Sequence, residues 1–302
     1  MQDLDRCAAC DATGLLPRYR VAGEPGPDGL IPTTDRFGTA LADIVRCPRC
    51  GHMQLQPMPS QELLDQGYAS ASSDAYVEEE SGQRATAART LELIEAHAPG
   101  RGALLDMGCW VGFLLAEARA RGWTRALGVE PSEFASRYAQ EQLGLEVIHG
   151  DLFSTQLPEH AFDAIAMGDV IEHLRSPADS LSRLRSLLVP GGVLWLALPD
   201  AGSAVARVLG RRWWSVIPTH VQYFTRASIA RLLERSGFEL LQTRTSPKAF
   251  TVGYYLGRIG GYWPTAGRAL QHTAGTLGIA DRIWAPDFRD RMAVLARVRS
   301  GA

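Results

Sequence analysis

From Gly102 onward, short apolar runs alternate with longer amphipathic ones: ALLDM, then GFLLAEARARG, then RALGVE, then SEFASRYAQEQLG, then LEVIHGD. Runs so short and so continuously apolar are strands buried on both faces, and the stretches between them carry apolar residues at helical spacing. The pattern predicts a parallel sheet with helices on both sides. AFDAIAMGD adds a fourth strand, ADSLSRLRSLLVPGG a helix and turn, and GGVLWLALP a fifth strand. ASIARLLERSGFELLQTRTS and RMAVLARVRS read as a helix, N-capped by Thr225, and two closing strands. Residues 250–289 separate those two strands with Gly, Pro and aromatics, too long a stretch for a plain connection. It is either an added packing layer or a lid.

Before this region stand two cysteine knuckles, Cys7-Ala-Ala-Cys10 and Cys47-Pro-Arg-Cys50. Each places two thiolates on a tight turn, and four such sulfurs close a tetrahedral shell around a structural zinc. A redox pair is the alternative for either knuckle, and His52 is an alternative fourth ligand. The stretch from Pro57 to Pro99 is punctuated by Pro, Ser and Gly before an amphipathic run, Ala75 to His97, that predicts a helix. The expected organisation is a zinc-binding ribbon over 1–58, a helical linker or lid over 59–99 and an α/β domain over 100–302.

Apolar residues make up 46% of the 302, enough for a large core. The net charge of −2 gives no global attraction to nucleic acid or an anionic membrane. No run approaches the roughly 18–20 apolar residues of a membrane span, and MQDLDRCAAC lacks the layout of a signal peptide, so a cytoplasmic protein is expected. Lys248 is the only lysine, which reads as a composition bias.

The chemistry-bearing residues fall at the predicted strand ends, where ligands bind in open parallel sheets. Asp106-Met107-Gly108-Cys109-Trp110-Val111-Gly112 leaves the first strand for a helix; its glycines allow a tight turn and close backbone approach, and the helix N-terminus favours an anionic group. The G-x-x-x-G spacing is not the dinucleotide G-x-G-x-x-G. Glu130 ends the second strand, where a carboxylate can accept both hydroxyls of a ribose. Asp151, followed by Leu152, comes after the third strand and can accept from an adenine amine.

Together, from Asp106 to Gly237, these positions resemble the class I S-adenosylmethionine-dependent methyltransferases. FDAIAMGDVIEHL matches the fourth-strand motif, LVPGGVLWLALP the turn and fifth strand, and RLLERSGFEL the following helix and strand. The resemblance implies a Rossmann-like, doubly wound seven-stranded sheet with its last strand antiparallel. It also implies S-adenosylmethionine held by Asp106, Gly108, Cys109, Gly112, Glu130, Asp151, Leu152 and Asp169. Cys109 occupies a common family position, read as packing. Where the family has a small residue this chain has Trp110, which either walls the cofactor pocket or blocks it.

Asp169-Val170-Ile171-Glu172-His173 follows the fourth strand on the side of the donor methyl. A neutral His173 can take a proton from a substrate hydroxyl. The same stretch resembles the motif by which ubiquinone-biosynthesis O-methyltransferases hold a divalent cation, with Asp169, Glu172 and His173 as ligands. The structural alternative is that Glu172 and His173 cap a helix. His220 is a second catalytic candidate, expected over the cleft with Tyr223 and Phe224. Arg211-Arg212-Trp213-Trp214 reads as a substrate clamp or a packing turn, and Tyr68, Tyr76, Tyr254 and Tyr255 as pocket closers.

A four-Cys module before such a core resembles enzymes of sugar and antibiotic biosynthesis. The expected function is therefore methyl transfer (EC 2.1.1 class) to a small molecule, most simply a hydroxyl of a sugar, a glycosylated natural product or a polysaccharide precursor. Some such relatives are sugar C-methyltransferases with a further C-terminal domain; the chain stops at Ala302, which favours O-methylation. One rival is RNA methylation, with a ribbon carrying Arg6, Arg18, Arg20, Arg36, Arg46 and Arg49, although the net charge argues against a nucleic-acid partner. Another is a non-catalytic scaffold whose cofactor site Trp110 fills.

Overall fold

The computed structural model describes residues 6–23, 37–69 and 77–299. Strands β1 (Leu16–Tyr19), β2 (Asp43–Arg46) and β3 (Met53–Gln56) form an antiparallel ribbon, followed by helices α1 (Gln61–Ala69) and α2 (Glu80–Glu95). The α/β alternation then runs β4 (Ala103–Met107), α3 (Phe113–Ala120), β5 (Arg125–Glu130), α4 (Glu133–Glu141), β6 (Glu146–His149), β7 (Phe162–Gly168), α5 (Pro177–Leu187) and β8 (Leu188–Pro199). Helix α6 (Ala204–Leu209), the two-residue strand β9 (Gln222–Tyr223), α7 (Arg226–Arg235) and β10 (Phe238–Thr245) follow. The stretch predicted to be an insertion holds β11 (Phe250–Thr251), α8 (Val252–Arg258), α9 (Pro264–Thr276) and β12 (Ile283–Trp284) before β13 (Arg291–Val298). Thr225 caps α7 as predicted, in a reciprocal box with Ser228.

The main sheet has the order β6-β5-β4-β7-β8-β13-β10, with β13 antiparallel to both neighbours and the other pairs parallel. This is the predicted seven-stranded fold. The chain winds outward from β4 to β6 and returns to β7 beside β4, so the crevice lies beyond the carboxyl ends of β4 and β7. Because the strands are apolar throughout, neighbouring residues fill opposite layers: Leu105, Leu127, Ile165 and Leu194 pack on one face, Leu104, Ala164, Val193 and Leu295 on the other.

The four knuckle cysteines converge. Sγ of Cys7 lies 3.5 Å from that of Cys50, and Sγ of Cys10 lies 3.6 Å from that of Cys47. A tetrahedral zinc with Zn–S of ~2.3 Å sets sulfur–sulfur edges of about 3.8 Å, so the group fits one ion. His52 does not join it, contrary to the alternative ligand set: its Nε2 bonds Gln222 Oε1 at 2.9 Å, and its ring packs 4.6 Å from Phe224. Gln222 belongs to β9, which pairs with β3 and completes the ribbon as a fourth strand. The ribbon is thus closed by residues of the α/β region, and its cysteines pack in the same apolar layer as Leu105 and Phe224.

The stretch after β10 is tied to α2. The Glu79 carboxylate accepts from the Thr251 amide at 2.6 Å and from its hydroxyl at 2.7 Å. Gly82 lies so close that an added Cβ would sit 2.4 Å from the Ala249 carbonyl oxygen. Gly82→Ala should therefore cost about 1–3 kcal/mol through forced separation of backbones, read as a lower denaturant midpoint with unchanged slope.

Candidate active site

A cleft of about 1210 Å³ opens at the predicted crevice. One part of its wall is built by the turn after β4. Gly108 has φ +74°, and a Cβ there would meet Val170 Cγ2 at 2.5 Å, so only glycine fits. Trp110 also has positive φ, 49°, an uncommon conformation for a bulky residue. That turn presents its amide to Glu130 Oε2 at 2.8 Å, and Ser132 donates its amide to Oε1 at 2.8 Å. The carboxylate is thus fixed with one amide on each oxygen, and each oxygen keeps acceptor capacity for a diol. The Trp110 indole forms part of the cleft wall, with its ring 6.3 Å from Phe134, and the cleft stays open beside it.

Burial pushes Glu130 up to about 7, against the pull of the Ser132 and Trp110 amides. Asp106 sits beneath, raised to about 8 by burial and then by the Glu130 charge. Both folded values exceed the unfolded ones. Their contribution to stability is therefore fully present below about pH 4 and is lost as pH climbs through 7 to 8.

The other predicted cofactor residues divide. Gly108, Glu130, Asp151, Leu152 and Asp169 line the cleft, while Asp106, Cys109 and Gly112 stand behind its wall. Cys109 is buried, with its sulfur against Gly128, which makes it a packing residue. Asp151 differs from expectation: Oδ1 accepts the Phe153 and Ser154 amides at 2.7 and 3.0 Å, and Oδ2 accepts the Ser154 hydroxyl at 2.6 Å, so the carboxylate holds its own turn. Phe153, 63% exposed beside it, was not singled out from sequence.

At the other end stand Asp169, Glu172, His173 and His220. Asp169, at φ 58°, is clamped by Lys248 and Arg291. Burial raises this carboxyl, but the two cations outweigh it and hold it well below the usual carboxylate range. The expected Asp169–Glu172–His173 ligand set therefore does not form: Asp169 is spent on two cations, and the group that converges is Glu172, His173 and His220. Burial holds both imidazoles below their ordinary values, so they are neutral. It also pushes Glu172 up to about 8, with the Asp169 charge adding to the rise. Glu172 and His173 lie in a one-turn 3-10 helix, and neither side chain caps it.

Tyr223 and Phe224 do not overlie the cleft as expected; both are buried, Tyr223 in the ribbon core and Phe224 beneath the sheet. Arg211 and Arg212 are exposed away from the cleft and Trp213 is buried, so RRWW is the packing turn rather than the clamp. Trp214 does line the cleft, and its indole donates to Asp290 Oδ2 at 2.7 Å. Tyr254 and Tyr255 line the cleft; Tyr76, Arg36 and the Tyr68 side chain lie outside the described residues. No helix among the described residues is long and apolar enough to cross a membrane.

An uncharacterized methyltransferase of Mycobacterium tuberculosis is 33% identical over 106 residues, 34% of this chain and 53% of that protein. A ubiquinone biosynthesis O-methyltransferase of Roseobacter denitrificans is 28% identical over 179 residues, 55% of this chain and 68% of its own length. The chain spans about half the length of the first of the curated relatives it matches. A chain of the Haloferax volcanii complex between the Trm112 methyltransferase activator and a methyltransferase shares the fold at TM-score 0.53 and 14% identity, over 76% of this chain and 96% of that one. A methyltransferase-domain family model matches residues 79–243, more than half of the 302, spanning the glycine turn, Glu130 and the 169–173 stretch. Sheet order, glycine turn and family match converge on one statement: the chain belongs to the methyltransferase-domain family, among the class I S-adenosylmethionine-dependent methyltransferases.

Proposed function

We propose that this chain transfers the methyl group of S-adenosylmethionine to an oxygen of a small molecule, with a hydroxyl of a sugar or glycosylated natural product as the acceptor class. One observation carries the reading: Glu130, fixed by two amides at the glycine turn, and the Glu172–His173–His220 group line or adjoin one continuous cleft. The cofactor's ribose would rest on Glu130 and its adenine against Leu152 and Phe153. Its methyl would then point toward Asp169 and the two histidines. The tyrosine and tryptophan walls formed by Tyr254, Tyr255 and Trp214 suit the apolar face of a sugar or another ring. In-line transfer needs positioning above all, with one group beside the acceptor to lower the cost of losing its proton. The four cysteines hold a structural zinc and take no part in the reaction.

Calorimetry with S-adenosylhomocysteine tests the donor half. Binding holds Glu130 ionised, so affinity should rise about tenfold from pH 6 to pH 8 as the coupled Glu130–Asp106 pair loses its first proton. A flat profile would remove Glu130 from the ribose. For the acceptor half, His173→Ala should lower kcat by about 100-fold or more while leaving homocysteine-cofactor affinity within about twofold. Unchanged turnover would take His173 out of the mechanism.

A further inference from the structure

A second cavity, of about 270 Å³, lies between the ribbon and α6 and shares no lining residue with the cleft. Buried apolar side chains line it, among them Ile44, Met53, Trp213 and Val216. Three exposed arginines line it too, one each from β1, β2 and α6: Arg18, Arg46 and Arg207. None of the described residues around the cavity is acidic. Other arginines close by in sequence are neutralised, Arg6 by Asp11 at 3.1 Å and Arg226 by Asp200 at 2.9 Å. Among the described residues these three pair with no carboxylate. The Arg18 guanidinium carbon lies 4.7 Å from the centre of the Tyr19 ring, and Arg46 Nη2 rests against the second knuckle, where a Cβ on Gly51 would meet it at 3.6 Å.

Like charges gathered on one cavity repel one another and raise the local concentration of anions. Arginine, with its planar fork of donors, is the side chain best suited to hold a carboxylate or a phosphate. Three guanidinium groups exceed what the single charge of a carboxylate can offset, whereas a phosphate monoester brings a charge of about −1.5 to −2 and three acceptor oxygens. The apolar wall requires that this group be carried on an apolar body. We propose that the ribbon cavity binds a small phosphate monoester with a ring or short branched chain, and that it is an effector site.

The effector role follows from the wall that the two spaces share. Trp213 and Val216 line the cavity, while Trp214, Ser215 and Ile217 line the cleft, so the 213–217 segment is the partition between them. His220 is tied to both sides of it. Its Nδ1 donates to the Ser215 carbonyl at 2.8 Å, and its own carbonyl accepts from the hydroxyl of Tyr223, a cavity residue, at 3.1 Å. A molecule packed against Tyr223 and the partition therefore bears on the two contacts that hold His220. The effector role rests on the methyl-transfer reading; the binding site rests on the arginines and the apolar wall.

The test is calorimetry on the full chain, its cysteine site saturated with zinc, with phenyl phosphate as the probe and inorganic phosphate and benzoate as controls. S-adenosylhomocysteine affinity is measured on the same samples. The expected result is one phenyl phosphate per chain with a Kd of about 1 mM or tighter, at least about fivefold tighter than either control and not displaced by saturating homocysteine cofactor. Arg46→Gln and Arg207→Gln should each weaken it about tenfold, with homocysteine-cofactor affinity within about twofold. No binding, competitive displacement by the homocysteine cofactor, or inorganic phosphate bound as well as phenyl phosphate would overturn the site. These three are read on the unmutated chain, so a variant that fails to fold does not obscure them. In protein labelled with ¹⁵N-histidine, the imidazole signal that His220→Gln removes should shift as phenyl phosphate binds; an unmoved signal would overturn the effector role. Phenyl phosphate held through the arginines by protein that ignores the homocysteine cofactor would support the site and sink the methyl-transfer reading instead.

Discussion

Cys47→Ser will lower the thermal transition by about 10 °C or more and reduce turnover, although the residue is remote from the acceptor cleft. Structural zinc contributes roughly 10–16 kcal/mol of folding free energy in isolated fingers, and losing one of four thiolates removes several of these. At roughly 2–4 °C per kcal/mol for a chain of this size, a shift of that order follows. The effect on turnover has a specific route. Strand β9 pairs with β3, Gln222 bonds His52 and also donates to the Leu174 and Arg175 carbonyls, and His220 stands two residues before β9. Loosening the ribbon therefore loosens the loop that positions His220. Differential scanning calorimetry and steady-state kinetics on the same sample check both halves. An unchanged kcat in a protein with a lowered transition would show that the ribbon and the acceptor site are energetically independent.

Glu130→Ala will weaken S-adenosylhomocysteine binding by about 100-fold or more. The substitution removes the carboxylate proposed to accept two cofactor hydroxyls and takes away the shared partner of the Trp110 and Ser132 amides. Charge-assisted bonds contribute about 1.5–3 kcal/mol each, and 1.4 kcal/mol is tenfold in affinity. Glu130→Gln keeps the shape and one carbonyl acceptor, so it should fall between the two and lose the rise in affinity between pH 6 and pH 8. Titration calorimetry across that range separates the three proteins; equal affinities would exclude the ribose contact.

The sheet was legible because its signal is local. Apolar runs such as ALLDM and GGVLWLALP permit little besides doubly covered strands, and the glycine turn and Glu130 fall at their ends by simple counting. The cysteine knuckles were legible for the same reason, as fixed spacings on tight turns. What sequence spacing could not reveal depends on residues far apart in the chain. Asp169 is adjacent in sequence to Glu172 and His173, yet its partners are Lys248 and Arg291, brought over by the closing strands. The one signal was Lys248 itself, a single lysine in an arginine-rich chain, which composition alone assigned to bias. His52 next to a knuckle looked like a ligand until β9 supplied Gln222. Asp151 could not be separated from a ligand acid without seeing Ser154 turn back on it.

The fourth ribbon strand also sets the order in which the chain can fold during synthesis. His52 and Gln222 are 170 residues apart. At roughly 5–20 residues per second, the first three strands leave the ribosome about 10–30 s before the residues that cover the open edge of β3. For that interval the nascent ribbon presents unpaired amides and carbonyls beside four thiols, a template for pairing with another chain. Early metal capture, which holds both knuckles in place before the sheet is complete, would keep that intermediate from aggregating. Yield of native protein should therefore depend on zinc supply during translation more than on zinc added afterwards.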